Sequence, residues 1–271
     1  MKVPPIVLSV AGYDPSSGAG ITADVKTAAA MGCYAVTCPT ALTVQSTRGV
    51  FEMQPLAPDL VHRTLAILAE DMEIASVRVG MLGSAEVAKI VSNTLKNGHL
   101  SNIVFDPVLR SSSGAALLDE AGLQVLREEM LPRAVVITPN VYEAAALAGE
   151  EAVPVHAPWD EVLSWLRTMA ARLRSLGSSA VVITGGHLSQ PNDYLSYVEN
   201  GVVKEQVFVG KHIESGSTHG TGCAFATAIA CQLALGQGLP QAVHAAKEYV
   251  RKALEASYPL GKGTGPINHM V

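Results

Sequence analysis

The sequence predicts an α/β fold in which a mostly parallel sheet is covered by helices on both faces, and three observations carry that expectation. Short apolar runs ending in small or polar residues alternate with longer helical patterns along most of the chain. Of its 271 residues 48% are hydrophobic, enough to bury the core such a sheet requires. The polar residues with unusual chemistry fall just past the strand ends, the edge at which open parallel sheets bind ligands.

Taken in order, the strand candidates are 6–12, 34–42, 77–82, 103–108, 135–138 and 181–185. The helical candidates between them are 19–31, 59–72, 85–96, 120–130, 142–148 and 159–176. The first apolar run, Ile6 to Gly12, is too short to span a bilayer and leads directly into Tyr13-Asp14-Pro15, so it reads as a strand. The alternation breaks at 194–207, where two period-two stretches flank Asn200-Gly201, a dipeptide that tolerates the positive φ angles of a tight hairpin. A helix apolar on all sides then runs to about Leu235 and is expected to be buried. The last helix, roughly 241–256, gathers Ala242, Val243, Ala246, Tyr249, Val250 and Ala253 on one face, with Lys247, Glu248, Arg251 and Lys252 solvated. A loop at 261–266 follows. No repeat or linker interrupts the chain, so one domain over 1–271 is expected.

Nineteen basic residues against 24 acidic, without a basic run, argue against nucleic acid or an anionic membrane as partner and for a small molecule. The four cysteines form no C-x-x-C pair and no metal-finger spacing. Free thiols in a reducing compartment, and hence a cytoplasmic protein, are the simplest account.

Chemistry concentrates where Gly216-Ser217-Thr218-His219-Gly220-Thr221-Gly222-Cys223 runs into the apolar helix. Two glycines flank a threonine at a helix start, so backbone N–H groups can converge on an anion such as phosphate. Cys223 falls in the first turn, where the helix field favours thiolate and can lower a thiol pKa. The same composition also suits an ordinary loop and a small buried cysteine. The turn Gly18-Ala19-Gly20-Ile21-Thr22-Ala23-Asp24 is not G-x-G-x-x-G, and no P-loop pattern occurs, so neither a dinucleotide site nor a P-loop ATPase is indicated.

The remaining edge residues each have two readings. Asn140 and Glu143 suit a capping box, and an amide with a carboxylate at this edge can also hold a water-shelled Mg²⁺ beside a nucleotide. Asp106, before Pro107 at a strand end, is costly to bury unless paired or set beside a cation. Gln45 can satisfy loop backbone or pair with the ring edge of a heterocycle. The histidines lack metal-ligand spacing.

Together these stretches resemble a known family. The run Ala11 to Thr27, with 40–47, Gly80-Met81-Leu82, Asp106-Pro107-Val108, Thr138-Pro139-Asn140, Gly185-Gly186-His187, His219 to Cys223 and 263–269, is similar to the hydroxymethylpyrimidine kinase / phosphomethylpyrimidine kinase of thiamine biosynthesis, a ribokinase-like enzyme. The matches cover the chain nearly end to end. The resemblance implies a three-layer α/β/α ribokinase-like fold, ATP with Mg²⁺, and two successive phosphorylations of 4-amino-5-hydroxymethyl-2-methylpyrimidine. It implies a dimer as well.

By the same resemblance, Gly220, Thr221, Gly222 and Cys223 form the catalytic anion hole, with Cys223 as base. Gln45, Gly12, Asp24, Val44 and Met81 contact substrate. Asp106, Asn140, Glu143, Thr184 and Gly186 form the Mg-nucleotide region, with Asp106 and Glu143 toward the metal. Pyrimidine kinases often carry lysine just before Gly-Gly-His; here Thr184 leaves one fewer positive charge near the transferred phosphate. A pyridoxal or pyridoxine kinase of the same fold, or a non-catalytic pyrimidine-binding regulator, are the alternative readings.

Overall fold

The computed structural model describes residues 3–98, 100–111 and 114–271. In chain order its elements are β1 (Ile6–Tyr13), α1 (Gly20–Ala30), β2 (Tyr34–Ser46), β3 (Gly49–Pro55), α2 (Pro58–Asp71), β4 (Ile74–Val79), α3 (Ala85–Asn97), β5 (Ile103–Phe105) and α4 (Glu120–Val125). There follow β6 (Val136–Ile137), α5 (Val141–Ala148), α6 (Trp159–Ser175), β7 (Ala180–Ile183), β8 (Asp193–Glu199), β9 (Val202–Phe208), α7 (Thr221–Ala234) and α8 (Leu239–Glu255).

All the strands belong to one sheet of order β3-β2-β1-β4-β5-β6-β7-β8-β9. The pairs from β2 to β7 are parallel, and antiparallel strands close both edges; the β8–β9 edge is the hairpin expected around Asn200-Gly201. Neighbouring strand residues face opposite layers. Leu8 packs with α2, α3, α5 and α6 on one face, while Val7 packs with α1, α7 and α8 on the other. The three-layer α/β/α arrangement follows. In α7 every residue from Ala224 to Cys231 is buried, which accounts for its apolar circumference.

The chain runs outward from β1 to β3 and then returns to lay β4 against the other side of β1. Strand order therefore reverses between β1 and β4, and the crevice beyond their carboxyl ends is where such sheets take ligands.

Three local differences from the sequence reading have physical causes. β2 continues to Ser46 and hairpins into β3, which the pattern did not announce: Phe51 is 69% exposed, both faces of β3 are partly solvated, and no period-two signal forms. The helix expected over 120–130 stays α-helical only to Val125, then passes through a π turn at Leu126–Met130 and a 3₁₀ turn at Leu131–Arg133. Pro132 lacks the amide that would continue the α ladder. β5 stops at Phe105; the Asp106 amide still donates to Val79 O at 2.8 Å, but Pro107 has none to offer.

Candidate active site

Two glycine turns make the floor of the crevice. Gly20 has φ +59° and a Cβ there would lie 2.2 Å from Gly12 O; Gly220 has φ +86° and a Cβ there would lie 1.8 Å from Gly18 O. Each position needs both the left-handed backbone and the missing side chain. Asp14 stiffens the first turn by accepting from the Ser16, Gly18 and Ala19 amides at 2.8, 3.2 and 2.9 Å. Burial pushes the Asp14 carboxyl up, but hydrogen bonds from His219 and Ser16 outweigh it and hold the group below its ordinary range. The α1 turn and the α7 start thus approach each other backbone to backbone.

Gly220 caps α7 without a side-chain hydrogen bond, so the first-turn amides of Gly222 and Cys223 lack a side-chain partner. Gly222 is exposed and nothing lies within 4 Å of where its Cβ would be, which leaves an open corner suited to an anion. Cys223 is half-buried beside the Gly20 amide. Its thiol does not have the lowered pKa expected of a helix start. Burial pushes it up to about 11, the Asp106 and Asp24 charges add to that, and Arg78 with the Gly20 amide pulls only partly back.

Beneath this corner lies a buried charge cluster. Arg78, fully buried in β4, donates through Nη2 to Asp106 Oδ2 at 2.6 Å and places Nη1 3.3 Å from Asp24 Oδ2. Asp24 also accepts from Ser9 Oγ at 2.5 Å and Thr227 Oγ1 at 2.7 Å. With 0% exposure and its oxygens engaged, Asp24 does not reach a substrate; its expected contact is corrected to a brace joining α1, β1, β4 and α7. Arg78 was absent from the sequence reading. The signal was available, since a charged residue inside the apolar Val77-Arg78-Val79 must find buried carboxylates.

At the start of α5, Asn140 and Glu143 form the expected capping box: Asn140 Oδ1 accepts from Tyr142 N and Glu143 N, and Glu143 Oε2 accepts from Asn140 N at 2.9 Å. Burial pushes Glu143 up to about 8, and the Asp106 charge adds to it. Burial likewise lifts Asp106 to about 6 against the pull of Arg78. Two crowded carboxylates of this kind are relieved by a cation, so the pair fits Mg²⁺, which needs few protein oxygens. Among the described residues no set of three or more His, Cys, Asp or Glu forms a metal cage. Thr184 bridges to Asn140, and its amide donates to Pro139 O at 2.9 Å. Asp193, paired with Lys247 at 2.6 Å, accepts the Gly185 amide at 3.0 Å and so fixes the turn that leaves Gly186 exposed to open space.

On the β2 side of the crevice, Gln45 lies 3.2 Å from His219 Nε2, which is 2.8 Å from Asp14 Oδ2. Gln45, Thr47, Arg48, His219 and Thr264 line a cavity of about 50 Å³ between the β2–β3 hairpin and the loop before the C-terminus. The Lys262 and Gly263 amides both donate to Thr47 Oγ1 at 3.2 Å, fastening that hairpin. Met81 is half-buried and covers Gly12, where a Cβ would meet its methyl at 2.0 Å. Val44 is a second correction. Strand alternation turns it to the face opposite Thr43 and Gln45, 58% exposed, so only its main chain remains available to this cavity.

Comparison with known proteins shows what the chain as a whole is similar to. The phosphomethylpyrimidine kinase family matches residues 14–268. The hydroxymethylpyrimidine/phosphomethylpyrimidine kinase of Streptomyces coelicolor is 41% identical, over 98% of this chain and 94% of that protein. The thiamine biosynthesis bifunctional protein ThiED of Geobacter sulfurreducens is 38% identical over 98% of this chain, which spans only 52% of that longer protein. Among solved structures, the ADP complex of Bacillus subtilis pyridoxal kinase superposes with a TM-score of 0.85 at 31% identity, covering 98% of this chain and 97% of that one.

The close backbone approach at Gly220 gives a direct test of the floor. Gly220→Ala is expected to destabilise the protein by at least about 2 kcal/mol, from left-handed strain together with the clash against Gly18 O. It should also weaken binding of an ATP analogue. Denaturant unfolding and calorimetric titration of the variant check both.

Proposed function

The chain belongs to the phosphomethylpyrimidine kinase family, and we propose that it phosphorylates 4-amino-5-hydroxymethyl-2-methylpyrimidine and then its monophosphate, using ATP, in thiamine biosynthesis. The observation that carries this reading is the convergence, at one sheet edge, of an uncapped helix start, a cysteine in its first turn and a carboxylate pair. It acts as a cytoplasmic enzyme with one kinase domain over 1–271, assembled as a homodimer. Among the described residues no helix is long and apolar enough to cross a membrane.

Phosphoryl transfer asks for an in-line acceptor oxygen and neutralisation of charge on the transferred group. The Gly222 and Cys223 amides hold the γ-phosphate against the positive end of α7. Asp106 and Glu143 would hold Mg²⁺, which when bound neutralises phosphate charge. The Asn140 cap and the Thr184–Gly186 turn border the nucleotide. Gln45, steadied by His219, meets the ring edge of the pyrimidine, and Met81 covers its other side.

The acceptor oxygen forms a bond to the γ-phosphorus as the bond from that phosphorus to the bridging oxygen of ADP breaks. The hydroxyl proton passes to the Cys223 sulfur. Because burial holds the resting thiol near a pKa of about 11, the base is competent in its minor, deprotonated form. A pyridoxal kinase remains the second reading, favoured by the match to the Bacillus subtilis structure.

Incubation with ATP and the aminopyrimidine alcohol, followed by mass spectrometry, should give mono- and diphosphate; phosphorylation of pyridoxal alone would transfer the assignment to the second reading. Cys223→Ala is expected to retain ATP affinity and lose about two to four orders of magnitude in turnover. The parent's turnover should climb with pH across the alkaline range, and the variant should lack that limb. Gln45→Ala should raise KM for the pyrimidine well above any change in KM for ATP, and equal changes would place Gln45 outside the acceptor pocket.

A further inference from the structure

Gln45, near the end of β2, lines the cavity with its amide caught between two neighbours. Its Oε1 lies 3.1 Å from Thr43 Oγ1 and its Nε2 lies 3.2 Å from His219 Nε2. Asp14 decides what the histidine can offer. The groups around that carboxylate are donors: the Ser16 amide and hydroxyl on Oδ1, and the Gly18 and Ala19 amides on Oδ2. A carboxylate so surrounded accepts, and it takes the Nε2 proton of His219 across 2.8 Å. Toward Gln45 Nε2, that nitrogen is then a donor set against a donor. At the other end of the amide, Thr43 Oγ1 has one proton for two acceptors, Gln45 Oε1 and Tyr13 O at 3.0 Å, and cannot serve both.

The two ends of an amide have nearly the same shape, so its hydrogen-bond partners decide which way it faces. A half turn of the Gln45 amide resolves both ends. Oε1 then meets the His219 N–H, and Nε2 donates to Thr43 Oγ1 while the hydroxyl proton serves Tyr13 O. The histidine has little room to evade this. A Cβ at Gly18 would lie 2.4 Å from its Cδ2, and its main chain is held by Gly265 O and the Ile267 amide at 3.0 and 3.3 Å. An amide turned this way offers an arriving ligand a lone pair on the His219 side and an N–H on the Thr43 side. The edge that fits is an amino group beside a ring nitrogen that accepts. A lactam edge, carbonyl beside N–H, presents the opposite order and would force the amide back to its mismatched orientation.

We propose that His219, its Nε2 proton held by Asp14, is a positioning residue that with Thr43 fixes the direction of the Gln45 amide, and so makes the acceptor site select an amino-substituted heterocycle over its oxo counterpart. This inference rests on Gln45 meeting the ring edge of the acceptor.

The test compares kcat/KM for the aminopyrimidine alcohol with that for the same alcohol carrying a 4-oxo group in place of the 4-amino group, at saturating ATP. The parent should favour the amino compound by about 10- to 100-fold, the worth of the two hydrogen bonds that a reversed amide would lose. His219→Phe should cut that preference to within about threefold and raise KM for the amino compound, with KM for ATP nearly unchanged. His219→Gln, whose amide can donate to Asp14 and Gln45 together, should retain more of the preference. On a Gln45→Ala background, His219→Phe should change kcat/KM for the pyrimidine little, because no amide is left to orient. Parental preference in His219→Phe, or fully additive effects of the two substitutions, overturns the inference. Should His219→Phe fail to fold, Thr43→Val decides: a lowered preference supports the network and the parental preference overturns it. A parent that phosphorylates both compounds equally overturns the inference and leaves the kinase reading standing. A parent that phosphorylates neither removes that reading, and the inference with it.

Discussion

Two carboxylates withdrawn from water under one strand edge need a counter-charge, and the single guanidinium of Arg78 is shared between Asp24 and Asp106, which leaves the pKa of each raised. Desolvating such a group makes a buried ion cluster a poor source of net stability, yet stripping one member from it leaves an uncompensated charge at a cost of about 3–5 kcal/mol. The cluster is therefore a geometric clamp. It ties α1, β4 and the end of β5 together, and through the hydroxyls of Ser9 and Thr227 it reaches β1 and α7. Five of the elements around the crevice, α1, α7, β1, β4 and the end of β5, are referenced to this one point.

Above the clamp, the crevice is built mostly from main chain. The α1 and α7 starts come together because Gly20 and Gly220 have no side chain and hold positive φ, and Asp14 gathers the intervening amides. An anion site made this way needs no lysine or arginine of its own, since the donors are peptide groups and the helix supplies the field. That also explains how a threonine at position 184 can stand at the nucleotide edge: the turn there is held by the Asp193 and Lys247 pair and by main-chain hydrogen bonds.

Much of this was legible beforehand, for identifiable reasons. Short apolar runs alternating with helical patterns disclosed the layered sheet because its central strands are buried on both faces, and the all-apolar α7 disclosed itself by lacking a polar side. The capping box of Asn140 and Glu143 could be read because its donors and acceptors are local in sequence. What escaped was non-local or two-sided. The solvated hairpin partner β3 has no buried face to write a pattern. The thiol of Cys223 responds first to its burial and then to Arg78, Asp106 and Asp24, which lie far from it in sequence. Asp24 looked like a ligand contact because its motif sits at the crevice, but the side chain turns inward to Arg78. Val44 followed Gln45 in the reading, although alternation along a strand sends neighbours to opposite sides.

The fastening of Thr47 by the Lys262 and Gly263 amides joins parts of the chain 215 and 216 residues apart. The wall of the cavity lined by Gln45 and His219 is thus completed by a segment remote from the hairpin in sequence. The sheet and its clamp can be complete while that cavity still lacks one side, which only the docking of the 262–264 loop supplies. Cleavage within 262–264 would then open that cavity while leaving the core intact.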